Sequence, residues 1–279
     1  MTSPAMKHYL ILLRPSNFLI TMASVFVSAL LAGAGAADIL PMALASIAAG
    51  LIGGGGMVIN DLFDVEIDRI NKPSRPLPSG AVSPRSAASF YAGVTSLGLL
   101  LNLFLHSGAQ VIAAGAALLI FFYSYRLKRT PLLGNLTVGA LTGLAFLYGG
   151  TVVGRIDRAI MPAIFAFLIN VGREIVKDME DLDGDARQGA KTFPVVFGMK
   201  KSAMLASAFL FAVICSTIVP FLTHQYGFAY LTIVAVGVDL VLAGVIASLW
   251  REMTPGNLGL LSAVLKYDMI IGLAAIYAG

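Results

Sequence analysis

Apolar residues fill this chain in long blocks, and the breaks between blocks are short clusters of Pro, Gly and charge. A membrane-crossing helix needs about 20 mostly apolar residues, and about nine windows meet that length. They cover residues 16–36, 39–60, 86–105, 108–125, 132–154, 159–177, 202–222, 226–249 and 257–278. None shows the period-two alternation of a barrel strand. The pattern predicts an all-α polytopic membrane protein, a single transmembrane domain over residues 1–279.

Composition agrees. The chain is 58% hydrophobic and 12% charged, against about 25% charged residues in soluble domains, and its mean hydropathy is +0.85. The lone Cys215 offers no disulfide or zinc spacing and reads as a small buried hydrophobe. Lys7, His8 and Arg14 precede an apolar run ending in AGAGAAD, as in a signal peptide, but the many later apolar runs make this a retained first span.

Charge placement adds topology. With the N-terminus inside, nearly every Lys and Arg falls on the inner side; Arg155 and Arg158 are on outer loops and Lys266 is in the last span. The positive-inside rule then predicts a multi-pass cell-membrane protein with a cytoplasmic N-terminus and an outer C-terminus. Acids cluster after the second and the sixth span, both on the cytoplasmic side. That placement hints at an internal duplication of spans 1–4 and 5–8.

Asn60, Asp64 and Asp68 are spaced i, i+4, i+8, and Glu174, Asp178, Asp181 and Asp185 are spaced i, i+4, i+7, i+11. On a helix each set lies along one face. Two carboxylate stripes repel one another unless a cation intervenes, and hard oxygen ligands suit Mg²⁺ shared with substrate phosphates. Lys72 and Arg75 follow the first stripe, Arg187 and Lys191 the second, and such cations suit a departing diphosphate. Pro73, Pro76, Pro78 and Gly80 stop the helix and stiffen the loop. Glu66, Glu180 and Asp183 fall off the stripes and read as solvated. Asp239, Lys266 and Asp268 lie inside predicted spans, where ionisable groups are costly; pairing of Asp239 with Lys266 is one structural expectation. Trp250 reads as an interfacial anchor.

These stretches resemble a known family. NDLFDVEIDRINKPSRPLPSG (60–80) is similar to the first aspartate motif, NDxxDxxxDxxN, of the UbiA superfamily of intramembrane prenyltransferases. REIVKDMEDLDGDARQGAKTFPVVFG (173–198) resembles the second motif, FFYSYRLKRTPLLGN (121–135) a third patch, and LRPSN (13–17) the stretch before the first span. The two long motifs together most resemble the ether-lipid branch. Glu174 stands where aromatic-acceptor branches usually carry Asp.

The resemblance implies transfer of a geranylgeranyl group from its diphosphate to the free hydroxyl of geranylgeranylglyceryl phosphate, with Mg²⁺ as cofactor. It implies Asn60, Asp64 and Asp68 as ligands of one metal, and Asp178, Asp181, Asp185 and Glu174 as ligands of another. Asp64, Asp68, Asp181 and Asp185 are then catalytic, and Lys72, Arg75, Arg187 and Lys191 cradle the diphosphate. Tyr123 or Tyr125 offers a π-face to the allylic cation, with Tyr148 a further candidate. Arg14, Lys128 and Arg129 are candidates for the acceptor phosphate. The expected partners are a prenyl diphosphate, a lipid-like phosphate acceptor and membrane lipid, with no nucleic acid and no obligate protein partner. Rival expectations are an aromatic-acceptor or chlorophyll-type enzyme of the same superfamily, an ion-coupled transporter, and a CDP-alcohol phosphotransferase, whose motif spacing does not match DLDGDAR.

Overall fold

The computed structural model describes residues 4–187 and 189–279, and side chains for residues 6–70, 72–187 and 189–279. Every regular element among them is helical: α1 Pro4–Leu13, α2 Pro15–Leu31, α3 Ile39–Phe63, α4 Val65–Asn71, α5 Pro84–Asn102, α6 Ser107–Tyr125, α7 Leu133–Val152, α8 Ile156–Glu180, α9 Leu182–Arg187, α10 Phe193–Phe197, α11 Met199–Thr217, α12 Val219–Leu222, α13 Phe228–Ile233, α14 Leu240–Arg251 and α15 Pro255–Ala278, with a π-helical turn at Val234–Asp239. Several start as the sequence dictates. Ser83 accepts the Ser86 backbone N–H (3.1 Å) ahead of Pro84, and Pro255 opens α15.

Among the described residues six helices are long and apolar enough to cross a membrane: Ala36–Phe63, Ser107–Tyr125, Ile156–Glu180, Met199–Leu222, Phe228–Arg251 and Pro255–Ala278. A seventh crossing follows if Met6–Leu13 and Pro15–Leu31, bent by 49°, count as one. The windows expected at 86–105 and 132–154 do form helices, α5 and α7, but fall outside that set. Each carries Gly, Thr and Asn among its apolar residues.

The chain divides into two compact units, Met1–Arg126 with Leu144–Ile160, and Leu127–Gly143 with Met161–Gly279. In the first, α3 is the central helix, packed on α2, α5 and α6. The sequence Gly53–Gly56 explains how one helix serves so many neighbours. A Cβ on Gly54 would meet Leu13 of α1 (2.9 Å), one on Gly55 would strike Thr95 of α5, and one on Gly56 would meet Ile120 of α6 (2.6 Å). Consecutive glycines thus open different sides of α3 to close approach. Val25, Ala45, Ile52, Leu105, Ala109, Ala113 and Tyr148 form a buried core here. The Tyr148 hydroxyl donates to Asn102 Oδ1 (2.6 Å), whose amide donates to the Gly98 carbonyl (2.9 Å). Tyr148 is thereby a packing residue of this core.

In the second unit, α11, α13, α14 and α15 pack together around the π-helical turn. The α7 segment meets α8 closely at Gly139 and Gly143, where a Cβ would touch the Phe167 and Ala163 carbonyls (2.9 and 3.0 Å). Two expectations change here. Cys215 is exposed on α11 rather than buried, because it lies on the helix face opposite Val213 and Thr217. Glu180 is half-buried rather than solvated: its Oε1 lies where a Cβ on Gly259 would be (2.6 Å), so the glycine lets α15 approach the end of α8.

Candidate active site

The first acidic motif straddles a helix break. α3 ends at Phe63, Asp64 adopts φ −99° and ψ 4°, and α4 begins at Val65. Hydrogen bonds nevertheless continue in helical register, from Asp64 N–H to the Asn60 carbonyl (3.1 Å), Asp68 to Asp64 (2.8 Å) and Lys72 to Asp68 (2.8 Å). That register keeps Asn60, Asp64 and Asp68 in succession along one face, as their spacing requires. The Asn60 amide donates to Asp64 Oδ2 (3.1 Å).

Asp61 is the residue that sequence reasoning missed. It is buried, 4% exposed, and takes charge-assisted hydrogen bonds from Arg14 Nη2 (2.6 Å) and Arg75 Nη1 (3.3 Å). Arg75 Nη1 also donates to the buried Asp68 (2.6 Å). Two acids and two arginines thus form one network at the end of α3. Arg14 reaches it from a left-handed backbone, φ 50°, ahead of Pro15, and its Nη1 touches Met57 Sδ (3.6 Å). The loop after α4 is held rather than loose. Leu77 and Val82 pack with Leu12, Val58 and Ala87, Val82 N–H donates to the Pro76 carbonyl (3.0 Å), and Gly80 turns at φ 77°. Lys72 is exposed, and Glu66 pairs with Arg69 at the surface (2.8 Å), as expected of a solvated acid.

At the end of α6, Tyr125 is 57% exposed, with its ring 5.5 Å from that of Phe63 and 6.3 Å from that of Phe121. Tyr123 is half-buried. Lys128 and Arg129 lie in a single 3₁₀ turn, Leu127–Arg129, with Gly134 packed on the Lys128 Cα.

The second motif repeats the helix break. α8 ends at Glu180, α9 begins at Leu182, and the register again continues, from Asp181 N–H to the Lys177 carbonyl (3.0 Å) and Asp185 to Asp181 (2.9 Å). Asp178 accepts the side-chain amide of buried Asn135 (2.8 Å), which gives a physical role to the Gly-Asn of the third patch. Glu174, Asp181 and Asp185 each lie within electrostatic reach of Asp178. Glu174 accepts Arg173 Nη1 (2.7 Å). Burial pushes the Asp185 carboxyl above its usual range; nearby Asp181 adds to this, while Lys177 opposes it. Arg187 and Lys191 are exposed.

Among the described residues no three His, Cys, Asp or Glu side chains converge in a group able to hold a metal ion alone. The donors are nevertheless hard oxygens, and crowded carboxylates are the environment that a divalent cation relieves. Such residues fit Mg²⁺ in the mode it prefers, one or two carboxylates completed by water and substrate phosphate.

Residues 21–257 match the UbiA prenyltransferase family, so the chain belongs to that family and is a prenyltransferase. Among its relatives, digeranylgeranylglyceryl phosphate synthase of Methanopyrus kandleri is 38% identical over 98% of this chain and 99% of its own. The enzyme of the same name from Methanothermobacter thermautotrophicus is 35% identical over 98% and 96%. A solved structure of digeranylgeranylglyceryl phosphate synthase superposes with a TM-score of 0.91 at 34% identity, covering 99% of both chains. A UbiA homologue from Archaeoglobus fulgidus, solved with GPP and Mg²⁺, shares the fold at TM-score 0.72 and 20% identity, over 97% of this chain and 99% of that one.

Proposed function

We propose that this enzyme transfers a geranylgeranyl group from geranylgeranyl diphosphate to the free hydroxyl of geranylgeranylglyceryl phosphate, releasing diphosphate and forming digeranylgeranylglyceryl phosphate. The observation that carries this is likeness over nearly the whole chain to enzymes of that name, in sequence and in fold. Mg²⁺, seen with a prenyl diphosphate in a family member, would supply Lewis-acid stabilisation of the leaving diphosphate.

The chain's own residues supply the rest. Asn60, Asp64 and Asp68 would hold one Mg²⁺, and Asp178, Asp181 and Asp185, with Glu174, the other. Lys72, Arg187 and Lys191 bind diphosphate oxygens, and Arg75, anchored between Asp61 and Asp68, presents its guanidinium to the same anion. The allylic C–O bond breaks with its electron pair going to diphosphate. The Tyr123 ring would offer its π-face to the cationic carbon, the acceptor oxygen forms the new C–O bond, and its hydroxyl proton passes to the departing diphosphate or to water. Lys128 and Arg129 bind the acceptor phosphate. Arg14, engaged by Asp61, fixes the end of α3 rather than reaching for the acceptor.

In this reading the bent α1–α2 pair, the six apolar helices and the two more polar helices α5 and α7 make nine crossings. The positive-inside bias puts the N-terminus and both acidic motifs at the cytoplasmic face.

The test is incubation of the purified enzyme with Mg²⁺, labelled geranylgeranyl diphosphate and a panel of geranylgeranylglyceryl phosphate, 4-hydroxybenzoate and a dihydroxynaphthoate. Label entering only the glyceryl phosphate, and lost with EDTA, is the expected result. Transfer to an aromatic acceptor instead would move the enzyme to another branch of the family.

A further inference from the structure

A second group of acids lies apart from both motifs, in the helices around the π-helical turn of the second unit. Asp268 of α15 is 2% exposed, and neither of its carboxylate oxygens has a hydrogen-bond partner among the described residues. Asp239 closes the π-helical turn Val234–Asp239, a local geometry often found at functional sites. α15, which carries Asp268, packs directly on the turn that Asp239 closes; a Cβ on Gly237 of the turn would meet Ile271 of α15 (2.8 Å).

Thr217 meets more acceptors than it has hydrogens. Its one hydroxyl hydrogen faces three acceptors: the Ile214 carbonyl at 2.7 Å and both oxygens of Asp239 at 3.2 and 3.1 Å. The Thr217 carbonyl is already used by the hydroxyl of fully buried Tyr230 (2.8 Å). If the Thr217 hydrogen follows the shorter path to Ile214, Asp239 faces an oxygen lone pair. The contact is then attractive only if Asp239 itself donates.

Among the described residues the surroundings provide no opposing charge: on α11, Lys200 and Lys201 lie in the first turn, at the far end from Thr217, and Cys215 is exposed. Lys266 and Tyr267 flank Asp268 on α15 but are exposed, so the expected Asp239–Lys266 pair gives way to Asp239–Thr217. From α13 the titratable group is Tyr230, whose hydroxyl is committed to Thr217. On α14 the charged residue is Arg251, exposed at the last turn. From α8, Arg173 donates to the Ser262 carbonyl and pairs with Glu174, Glu180 sits against Gly259, and Asn170 donates to the Ala166 carbonyl (2.8 Å) and touches Met269 Sδ (3.8 Å). A buried carboxylate ion with no donor is far costlier than its neutral acid.

We propose that Asp239 and Asp268 form a proton-binding pair inside the membrane-spanning helices, each held as a neutral carboxylic acid. Asp239 donates to Thr217 Oγ1, which donates onward to Ile214, and the helices around Asp268 pack without an ion between them. The pair belongs to no step of prenyl transfer. It makes the packing of α13–α15 sensitive to alkaline pH.

The test uses the full-length enzyme in detergent, with Asp268→Asn, Asp239→Asn and the double variant. Infrared spectra at pH 7 should show a protonated-carboxyl C=O band that loses intensity in each single variant and more in the double. Because an unfolded acid ionises near a pKa of about 4, a group kept neutral in the fold costs stability as pH rises above that value. Asp268→Asn should therefore melt with the wild type near pH 4 and several degrees above it at pH 7, with prenyl transfer unchanged and no response to added Na⁺. An unchanged infrared band, a lower melting point or loss of folding in Asp268→Asn, or a wild type stabilised by Na⁺ would overturn the proposal. The Na⁺ result would mean an ionised pair holding a cation.

Discussion

The two acidic motifs share a break at the end of a long helix and an unbroken helical hydrogen-bond register, yet differ in how charge is balanced. In the first, Arg14 and Arg75 neutralise Asp61 and Asp68 through bonds of 2.6–3.3 Å. In the second, Arg173 pairs with Glu174, but the contact of Asp178 is a neutral amide, Asn135, and three further carboxylates crowd Asp178. The first motif is therefore pre-set by its own cations, while the second draws more from whatever positive charge the substrate complex brings. Pre-set groups lower the reorganisation needed at reaction. Crowded acids raise the dependence on divalent metal.

Removing a carboxylate from either stripe should have the largest effect. Asp64→Ala and Asp181→Ala are each expected to lower turnover about 10³-fold, the scale of losing a transition-state electrostatic partner, with the helical signal intact. Near-normal activity in either purified variant would sink the two-metal assignment. Crowding the centre of the first unit comes next. Gly56→Leu places a branched side chain against Ile120, and overpacking of this kind costs about 1–3 kcal/mol; a lower unfolding midpoint in detergent checks it.

Two subtler variants separate the motifs. Asp61→Asn should cut kcat/KM about 10- to 100-fold, as loss of a supporting partner does, mainly through KM for the prenyl diphosphate. Its Mg²⁺ midpoint should stay near that of the wild type. Asn135→Leu should do the reverse, shifting the Mg²⁺ midpoint upward by about 10-fold with less change in KM. Identical responses in Mg²⁺ titrations would erase the distinction drawn between the motifs. The smallest effect is expected at Glu66→Ala. Its pair with Arg69 is exposed at 75% and 57%, and such pairs contribute about 0.5 kcal/mol or less; an altered rate there would mean that the first motif extends to that face.

The helical register of the candidate site's acidic motifs could be read in advance because its signals are local. The spacing of Asn60, Asp64 and Asp68 survives a real break at Asp64, since the backbone bonds continue at i→i−4 on both sides of it. Asp61 escaped notice because it falls off that stripe and its arginine partners lie 47 and 14 positions away. Tyr148 is a candidate for cation stabilisation by sequence; in the structure its ring packs in the buried core of the first unit and its hydroxyl donates to Asn102, 46 residues distant. Asn135 stood in a recognised patch, and only its contact with Asp178 says what it does.

Sequence alone determined the helical membrane class, the two carboxylate faces and the family, because hydropathy and helical period act over one or two turns and leave their mark residue by residue. Tertiary structure decided which charges meet. Arg14 binds Asp61 because the glycines of α3 let α1 come close, and Asp239 meets Thr217 rather than Lys266 because of how α11 lies against the π-helical turn. Pairings of that kind depend on how distant helices pack, and no local periodicity encodes them.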